Sequence, residues 1–339
     1  MKNLKEYSKK DLLRLAGSED QLYSVKRYML EDGKGKGSSI YQVTTGGQLQ
    51  YNIAIDSAMD LTDLSYKGIN ISYISKNGSV ISPYAHENSG SIFGQTFNGG
   101  MLYTCGLRNT GGSVVENGDF FATHGRIHSV PSENCSAICE DGKITVKGFI
   151  RETELFGHSL EIKRTITSEV GSSKIVLHDV LTNKTPTAEE YMIIYHMNFG
   201  FPFLSPALEM TLPENVKTSP RTEYAAKFSG RETEFTMPID EEEETVFFHV
   251  VNENHKEKLA CVKLENPELG IGATVKYSVD TLPIMSQWRC MRSGEYVLGI
   301  EPTNSYIMGR TKERENGTIG VLPGFESVEM HIELEFYDL

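Results

Sequence analysis

The chain has few of the features that mark secreted, metal-clustering or membrane proteins. Its 339 residues include only five cysteines, an odd number. This count excludes the disulfide framework of a small secreted protein, and without a CxxC pair it argues against a cysteine zinc site. The N-terminus has no apolar signal region, and no stretch reaches the apolar length that crosses a bilayer. We therefore expect a cytoplasmic protein with reduced, buried thiols and no membrane partner.

Positive charge is scarce as well. Lysine and arginine number 33 against 46 acidic residues, which gives a net charge of −13. Because nucleic-acid-binding proteins usually carry a basic surface, we expect no nucleic-acid partner. The sequence also lacks a Gly-x-Ser-x-Gly elbow and a P-loop lysine. Its glycine clusters, such as Asn98-Gly99-Gly100, instead predict turns or places where the backbone approaches a ligand.

Short runs of β-branched and aromatic residues fill most of the chain, separated by turn residues. Asp141-Gly142 predicts a tight hairpin before the run that starts at Lys143. The C-terminal run alternates apolar and polar residues, which predicts a half-buried strand with Val328, Met330, Ile332, Leu334 and Phe336 facing inward.

Helical patterns are rare, and the clearest one lies near the start, from Lys5 to Leu15, with Gly17 as its stop. The sequence therefore predicts an all-β fold: a large antiparallel β-sandwich with a short N-terminal helix. We find no linker or repeat, so we predict a single domain over residues 1–339. A two-domain all-β protein is the alternative.

Glu301 ends one of the apolar runs, and Pro302 follows it at once. Proline cannot donate to a sheet ladder and biases the preceding residue toward an extended conformation. A carboxylate held at a strand end among apolar neighbours can have a pKa raised into the range useful for proton transfer. The alternative is a glutamate on an edge strand that faces solvent.

Two other apolar runs contain histidines. In a strand, His196 and Asn198 share one face, and Gly200 leaves space beside them, which is compatible with either a core histidine or a pocket wall. If the segment 124–128 is extended, His124, Arg126 and His128 also share a face. The two histidines would then suit a metal, whereas an arginine between them would favour a polar or acidic ligand.

In this order, the segments resemble the aldose 1-epimerase (galactose mutarotase) superfamily, and most closely its branch called domain of unknown function 4432. The resemblance runs from about residue 20 to the end of the chain. It is carried by residues 97–107, 124–127, 195–200, 287–288 and 299–304. It implies a β-supersandwich that binds a small-molecule carbohydrate on its concave face.

The resemblance also implies roles for individual residues. His196 matches the family's acid, which protonates the ring oxygen of the sugar, and Glu301 matches its base, which takes the proton of the anomeric hydroxyl. His124 matches a substrate-binding histidine. Where the family has an upstream arginine, this chain has Asn98, with Arg108 nearby.

Three further residues complete the predicted substrate-binding set. Arg126 is the candidate for the charge that Asn98 lacks, Asn198 shares the face of His196, and Trp288 is placed to stack on the apolar face of a sugar. Ring opening and closing by an acid and a base requires no cofactor, and none is expected. The alternatives are a non-catalytic carbohydrate-binding protein and a metal-dependent sugar isomerase that uses His124 and His128.

Overall fold

Strands are the main elements of the computed structural model, which describes residues 4–79, 93–252 and 254–339. They are β1 (Ser24–Met29), β2 (Ser39–Thr44), β3 (Leu49–Ala54), β4 (Asp60–Tyr66), β5 (Ile69–Asn70), β6 (Tyr103–Leu107), β7 (Val114–Glu116), β8 (Asp119–Phe121), β9 (Glu133–Glu140), β10 (Lys143–Thr153), β11 (Ser159–Glu169), β12 (Lys174–Asn183), β13 (Glu189–Gly200), β14 (Glu209–Thr211), β15 (Val216–Pro220), β16 (Thr245–Val251), β17 (Leu259–Asn266), β18 (Ile271–Ser278), β19 (Ile284–Arg292), β20 (Glu295–Thr303), β21 (Gly320–Leu322) and β22 (Ser327–Asp338).

The helices are short. They are α1 (Lys9–Leu15), α2 (Phe93–Thr96), α3 (Glu223–Ala226) and α4 (Arg310–Asn316), with 3-10 turns at Leu4–Glu6, Glu19–Gln21, Gly33–Gly35 and Ile127–Ser129. The predicted N-terminal helix is confirmed but begins later than expected, because Ser8 caps it by accepting a hydrogen bond from the Asp11 backbone. Within the described ranges, no helix is long and apolar enough to span a bilayer.

Three large sheets surround one apolar core. An eight-stranded sheet has the order β14-β17-β18-β22-β12-β11-β10-β9, and a five-stranded sheet has the order β1-β2-β3-β4-β5. The third sheet has the order β15-β16-β19-β20-β13-β21, with β6 also paired to β13. Side chains from all three form the main buried cluster. The predicted antiparallel β-sandwich is confirmed, whereas the single domain over residues 1–339 stays a prediction.

Local sequence signals explain several of these elements. Asp141 and Gly142 both have positive φ, 49° and 72°, and join β9 to β10 in the predicted tight hairpin. In β22 the alternation buries four of the five predicted residues, and Val328 at its start is half-buried. Fully burying one such apolar side chain contributes roughly 1.5–3 kcal/mol, which fixes the face that this strand presents to the core.

A buried ion network holds β13 against its neighbours. The fully buried Arg164 bonds to Asp179 and to Asp60, at 2.7 and 2.9 Å, and the Tyr195 hydroxyl donates to Asp179 at 2.7 Å. Burial raises the pKa of Asp60 to about 6, although the charge of Arg164 opposes that rise. Since Tyr195 precedes His196, this network anchors the strand from its core side and leaves His196 on the opposite face.

The two faces of the β13 sheet therefore differ. Ile193, Tyr195 and Met197 pack into the main core. Ile194, with residues of β16, β19 and β20, belongs to a second, smaller apolar cluster on the other face. His196 follows Ile194 by two residues in β13, so its side chain lies on this same outer face of the sheet.

Candidate active site

The outer face of the β13 sheet bears an open cleft of about 770 Å³. His196 and Glu301 lie at its floor, and Trp288, Phe97 and His124 form part of its walls. Glu301 is 1% exposed and His196 is 6% exposed, so both polar groups are almost removed from solvent. A cleft with a few convergent polar groups is the usual form of a small-molecule site.

Strand register brings the two floor residues together. The pairs Met197–Ile300 and Ile194–Thr303 join β13 to β20, which places His196 opposite Glu301. Residues directly opposite each other on neighbouring strands present their side chains on the same face. As a result, His196 Nε2 lies 3.2 Å from Glu301 Oε1.

The electrostatics of this pair favour neutral forms. Burial raises the pKa of Glu301 to about 8, and the Glu244 charge adds to the rise, whereas Ser286 and Arg221 lower it. Burial lowers the pKa of His196 to about 3, and the neighbouring His124 lowers it further. At neutral pH the pair therefore holds one proton, and that proton resides on Glu301. The sequence-based mechanism places the same proton on His196.

Small residues make room for the Glu301 carboxylate. Ser286 is paired with Glu301 across β19 and β20 and is fully buried. Gly299 lies two residues before Glu301 on the same face of β20. A Cβ added at Gly299 would lie 2.5 Å from Glu301 Oε1 and 3.0 Å from the Trp288 Cβ, so any larger residue would displace the carboxylate.

His124 borders the cleft beside the pair. Its ring centroid lies 6.3 Å from that of His196 and 5.1 Å from that of Phe93. The backbone N–H of Gly111 points at His124 Nδ1 from 3.5 Å, which favours the tautomer that carries its proton on Nε2. The ring is half-buried by surface area but closely surrounded by protein atoms. This burial, together with the Arg221 charge, lowers the pKa of His124 to about 4.

Trp288 forms a wall of the cleft, as a stacking residue would require. Its ring centroid lies 5.5 Å from that of His196 and 6.1 Å from that of Phe97. The indole Nε1–H donates to Glu244 Oε2 at 2.7 Å, which fixes the ring plane. Glu244 belongs to a run of four glutamates at residues 241–244, and residues 242–244 border the cleft.

The prediction that His124, Arg126 and His128 share an extended face is wrong. His124 has φ 56° and Gly125 has φ 72°, and a 3-10 turn, Ile127–Ser129, follows. The turn sends the three side chains to different places. His124 borders the cleft, and the His128 ring stacks on Tyr103 at 4.6 Å between centroids.

The structure places Arg126 and Arg108 in a second cavity, of about 600 Å³, and not in the cleft with His196. Glu152 lines the same cavity, and its carboxylate accepts a hydrogen bond from the backbone of Leu107 at 3.0 Å. Burial raises the pKa of Glu152, while the two arginine charges lower it. Neither arginine therefore supplies the positive charge that the sequence led us to expect at the sugar-binding site.

The two asparagines of the predicted set also lie outside the cleft lining. Asn98 is buried, and its backbone carbonyl accepts a hydrogen bond from Ser75 at 3.0 Å. Asn198 is fully buried, and its amide donates to the carbonyls of Gly100 and His196, each at 3.0 Å. Asn198 thus supports the backbone that carries His196, and its position does not bring it to a ligand in the cleft.

Glu301 lies within β20 and not at its end, since the strand continues to Thr303. Pro302 lies opposite Met285 in the pairing of β19 with β20. Over the described ranges, no group of three or more His, Cys, Asp or Glu side chains is arranged to hold a metal ion.

Sequence reasoning missed three residues of the site. Ser286 could have been predicted from the sequence, because the two-residue turn Ser293-Gly294 between β19 and β20 sets the register that pairs Ser286 with Glu301. The room that Gly299 provides follows from the same register. Arg221 gave no such signal, because its place in the cleft depends on pairing across β15, β16 and β19.

Comparison with known proteins gives one family and several structures. A family model described as domain of unknown function (DUF4432) matches residues 35–336. A candidate aldose 1-epimerase from Klebsiella pneumoniae is 25% identical with a TM-score of 0.86, covering 94% of this chain and 86% of that one. No curated protein sequence matches this chain.

Two more distant structures share the fold. A galactose mutarotase-like protein from Clostridium acetobutylicum is 12% identical with a TM-score of 0.68, covering 94% of this chain and all of that one, 100%. Galactose 1-epimerase from Lactobacillus acidophilus is 10% identical with a TM-score of 0.61, covering 93% and 99%. The chain therefore belongs to the DUF4432 family, and its fold is that of the galactose mutarotase-like superfamily.

Proposed function

We propose that the protein is an aldose 1-epimerase-like isomerase that interconverts the anomers of a sugar by acid–base ring opening. The observation that supports it best is the 3.2 Å approach of His196 Nε2 to Glu301 Oε1 at the floor of the cleft. The reaction needs an acid and a base at two oxygens of one carbon, so their reactive atoms must lie close together. The Klebsiella relative, a candidate aldose 1-epimerase, supports the same class.

The proposed mechanism starts from the single proton of the pair. A sugar whose anomeric hydroxyl donates to Glu301 and whose ring oxygen accepts from His196 favours the carboxylate–imidazolium arrangement, because hydrogen bonds to charged forms stabilise them. Glu301 then takes the hydroxyl proton, His196 gives its proton to the ring oxygen, and the bond between that oxygen and the anomeric carbon breaks.

The product of this step is an open-chain aldehyde, and the pair again holds one proton, now on Glu301. Rotation about the adjacent carbon–carbon bond presents the other face of the carbonyl to the hydroxyl. The same steps in reverse close the ring as the opposite anomer. In this mechanism His124 and Trp288 hold the sugar, by a hydrogen bond and by stacking on its apolar face.

Glu301→Gln and His196→Asn test the proposal directly. Each removes one partner of the proton transfer, so each should slow enzymatic anomer exchange roughly 10²–10⁴-fold. The measurement is exchange between anomers by NMR over a panel of aldoses, with the uncatalysed rate subtracted. Circular dichroism shows whether each variant keeps its fold.

A second histidine–glutamate pair supplies a matched control. His178 Nε2 lies 3.0 Å from Glu329 Oε2 on the exposed side of β12 and β22. His178→Asn and Glu329→Gln should leave anomer exchange unchanged. Full activity in either cleft variant would contradict the proposed roles, and sugar binding without faster exchange in the unaltered protein would favour a non-catalytic binding protein.

A further inference from the structure

Arg221 is a cation at the cleft that the proposed reaction does not use. It follows β15, and its backbone N–H donates to the Val246 carbonyl at 2.9 Å, which extends the pairing with β16 by one residue. Val246 pairs with Trp288, and Trp288 pairs with Gly299. Arg221 therefore lies in line with the residues that border Glu301, and its half-buried side chain lines the same cleft.

The N-cap of α3 fixes the backbone on the other side of Arg221. Thr222 is extended, and its hydroxyl accepts a hydrogen bond from the Ala225 N–H at 3.1 Å. Arg221 thus lies between the end of β15 and the capped start of α3, and a hydrogen bond holds the backbone on each side. These two hydrogen bonds fix the point on the backbone from which the Arg221 side chain extends to the cleft.

The other two cations that line the cleft already have partners. Lys76 pairs with Glu295, and Arg292 Nε lies 3.9 Å from a carboxylate oxygen of the same residue. By contrast, Arg221 has neither an ion pair nor a side-chain hydrogen bond with any residue that the structure describes. A guanidinium offers five N–H donors, so this one is free to receive a ligand.

Two of the three glutamates at residues 242–244, which line the cleft with Arg221, are also engaged. Glu242 accepts a hydrogen bond from the Tyr224 hydroxyl at 2.8 Å, and Glu244 accepts from the Trp288 indole at 2.7 Å. Acidic side chains at the rim would repel a dianion more strongly than a monoanion. A single guanidinium matches a carboxylate, which it binds through two parallel hydrogen bonds.

We propose that the sugar taken by this cleft carries a carboxylate and that Arg221 binds it. This inference rests on the proposed function for the identity of the ligand as a sugar. Arg221 lowers the pKa of both Glu301 and His124, which shows that its charge reaches both sides of the floor.

Matched sugars test the inference. Anomer exchange is measured for glucose, glucuronate and glucose 6-phosphate and for the corresponding galactose series. We expect kcat/KM for the uronates to exceed that for the neutral hexoses roughly 10–100-fold, the range of one charge-assisted hydrogen-bonded contact. Arg221→Gln should abolish this preference, mainly through a higher KM for the uronates.

Two variants separate charge from geometry. Arg221→Lys keeps the charge but loses the planar fork, so it should restore only part of the preference. Arg292→Gln removes a cleft cation that already faces Glu295, and the ratio of uronate to hexose should not change. If Arg221→Gln prefers uronates as strongly as the unaltered protein does, the inference is overturned while the proposed function remains intact.

The remaining outcomes are also decisive. A preference for the phosphates that depends on Arg221 would overturn the assignment of a carboxylate. If no sugar shows faster exchange, the proposed function fails, and titration calorimetry with the uronates still decides the inference. Binding that is lost in Arg221→Gln supports a carboxylate site, and no binding to the unaltered protein overturns it.

Discussion

Replacing Glu301 with glutamine measures how the buried carboxyl group makes the free energy of unfolding depend on pH. The pKa of Glu301 rises from 4.5 to about 8, because the side chain is 1% exposed. The folded state therefore binds the proton more tightly than the unfolded state. The stability from this group is fully present below pH 4.5 and is lost as the pH rises through about 8.

The size of the effect follows from that interval. At about 1.36 kcal/mol per pKa unit, the full loss is roughly 5 kcal/mol, of which about 4 kcal/mol falls between pH 5 and pH 8. Glutamine does not titrate, so the stability of Glu301→Gln relative to the unaltered protein should rise by this amount over the same range. Asp60, whose pKa is about 6, titrates in both proteins, so its contribution cancels in the difference.

The assay is urea unfolding followed by circular dichroism at pH 5, 6, 7 and 8. The change with pH is the quantity to read, because the buried glutamine amide adds a constant cost of about 1–3 kcal/mol where it lacks a partner. Glu329→Gln, at an exposed position, should show no such trend. A difference for Glu301→Gln that stays within about 1 kcal/mol from pH 5 to pH 8 would refute the argument.

Three further outcomes are expected. Gly299→Ala places a Cβ 2.5 Å from Glu301 Oε1 and should lower kcat roughly 10²-fold in steady-state measurements of anomer exchange. Gly112→Ala is the control, because nothing lies within 4 Å of the added Cβ, and it should leave kcat unchanged. Trp288→Ala should raise KM roughly 3–10-fold at nearly constant kcat, and Trp288→Phe should raise it less. The rate of anomer exchange should stay level from about pH 4 and fall above about pH 8, where Glu301 loses its carboxyl proton. A fall in this rate centred near pH 6 would contradict the assignment.

The predictable parts of the structure are those set by local signals. The Asp141-Gly142 turn and the alternation of β22 determine their own geometry within a few residues, and both are confirmed. The strand that carries His196 is confirmed for the same reason, since the run from 189 to 200 is apolar on one face and mixed on the other. That His196 and Glu301 are neighbours follows from register and not from either segment alone.

The parts that failed depend on backbone geometry or on distant strands. The prediction for Arg126 assumed an extended segment, but the positive φ of His124 and Gly125 turns the chain within two residues. As a result, Arg126 lines another cavity and the cleft receives its free cation from Arg221. No pattern near Arg221 indicates this, because three intervening strand pairings separate it from Glu301.

The number of protons on His196 and Glu301 reconciles the sequence-based mechanism with the pKa values of the two residues. A neutral carboxyl beside a neutral imidazole and a carboxylate beside an imidazolium contain the same number of protons. Moving between them shifts one proton over the 3.2 Å from Glu301 to His196 and changes no net charge. Burial favours the neutral arrangement, and in the proposed mechanism hydrogen bonds from a bound sugar favour the ionic one. Under that proposal, the proton that Glu301 retains at neutral pH is the one that ring opening needs, and the bound sugar decides which of the two residues holds it.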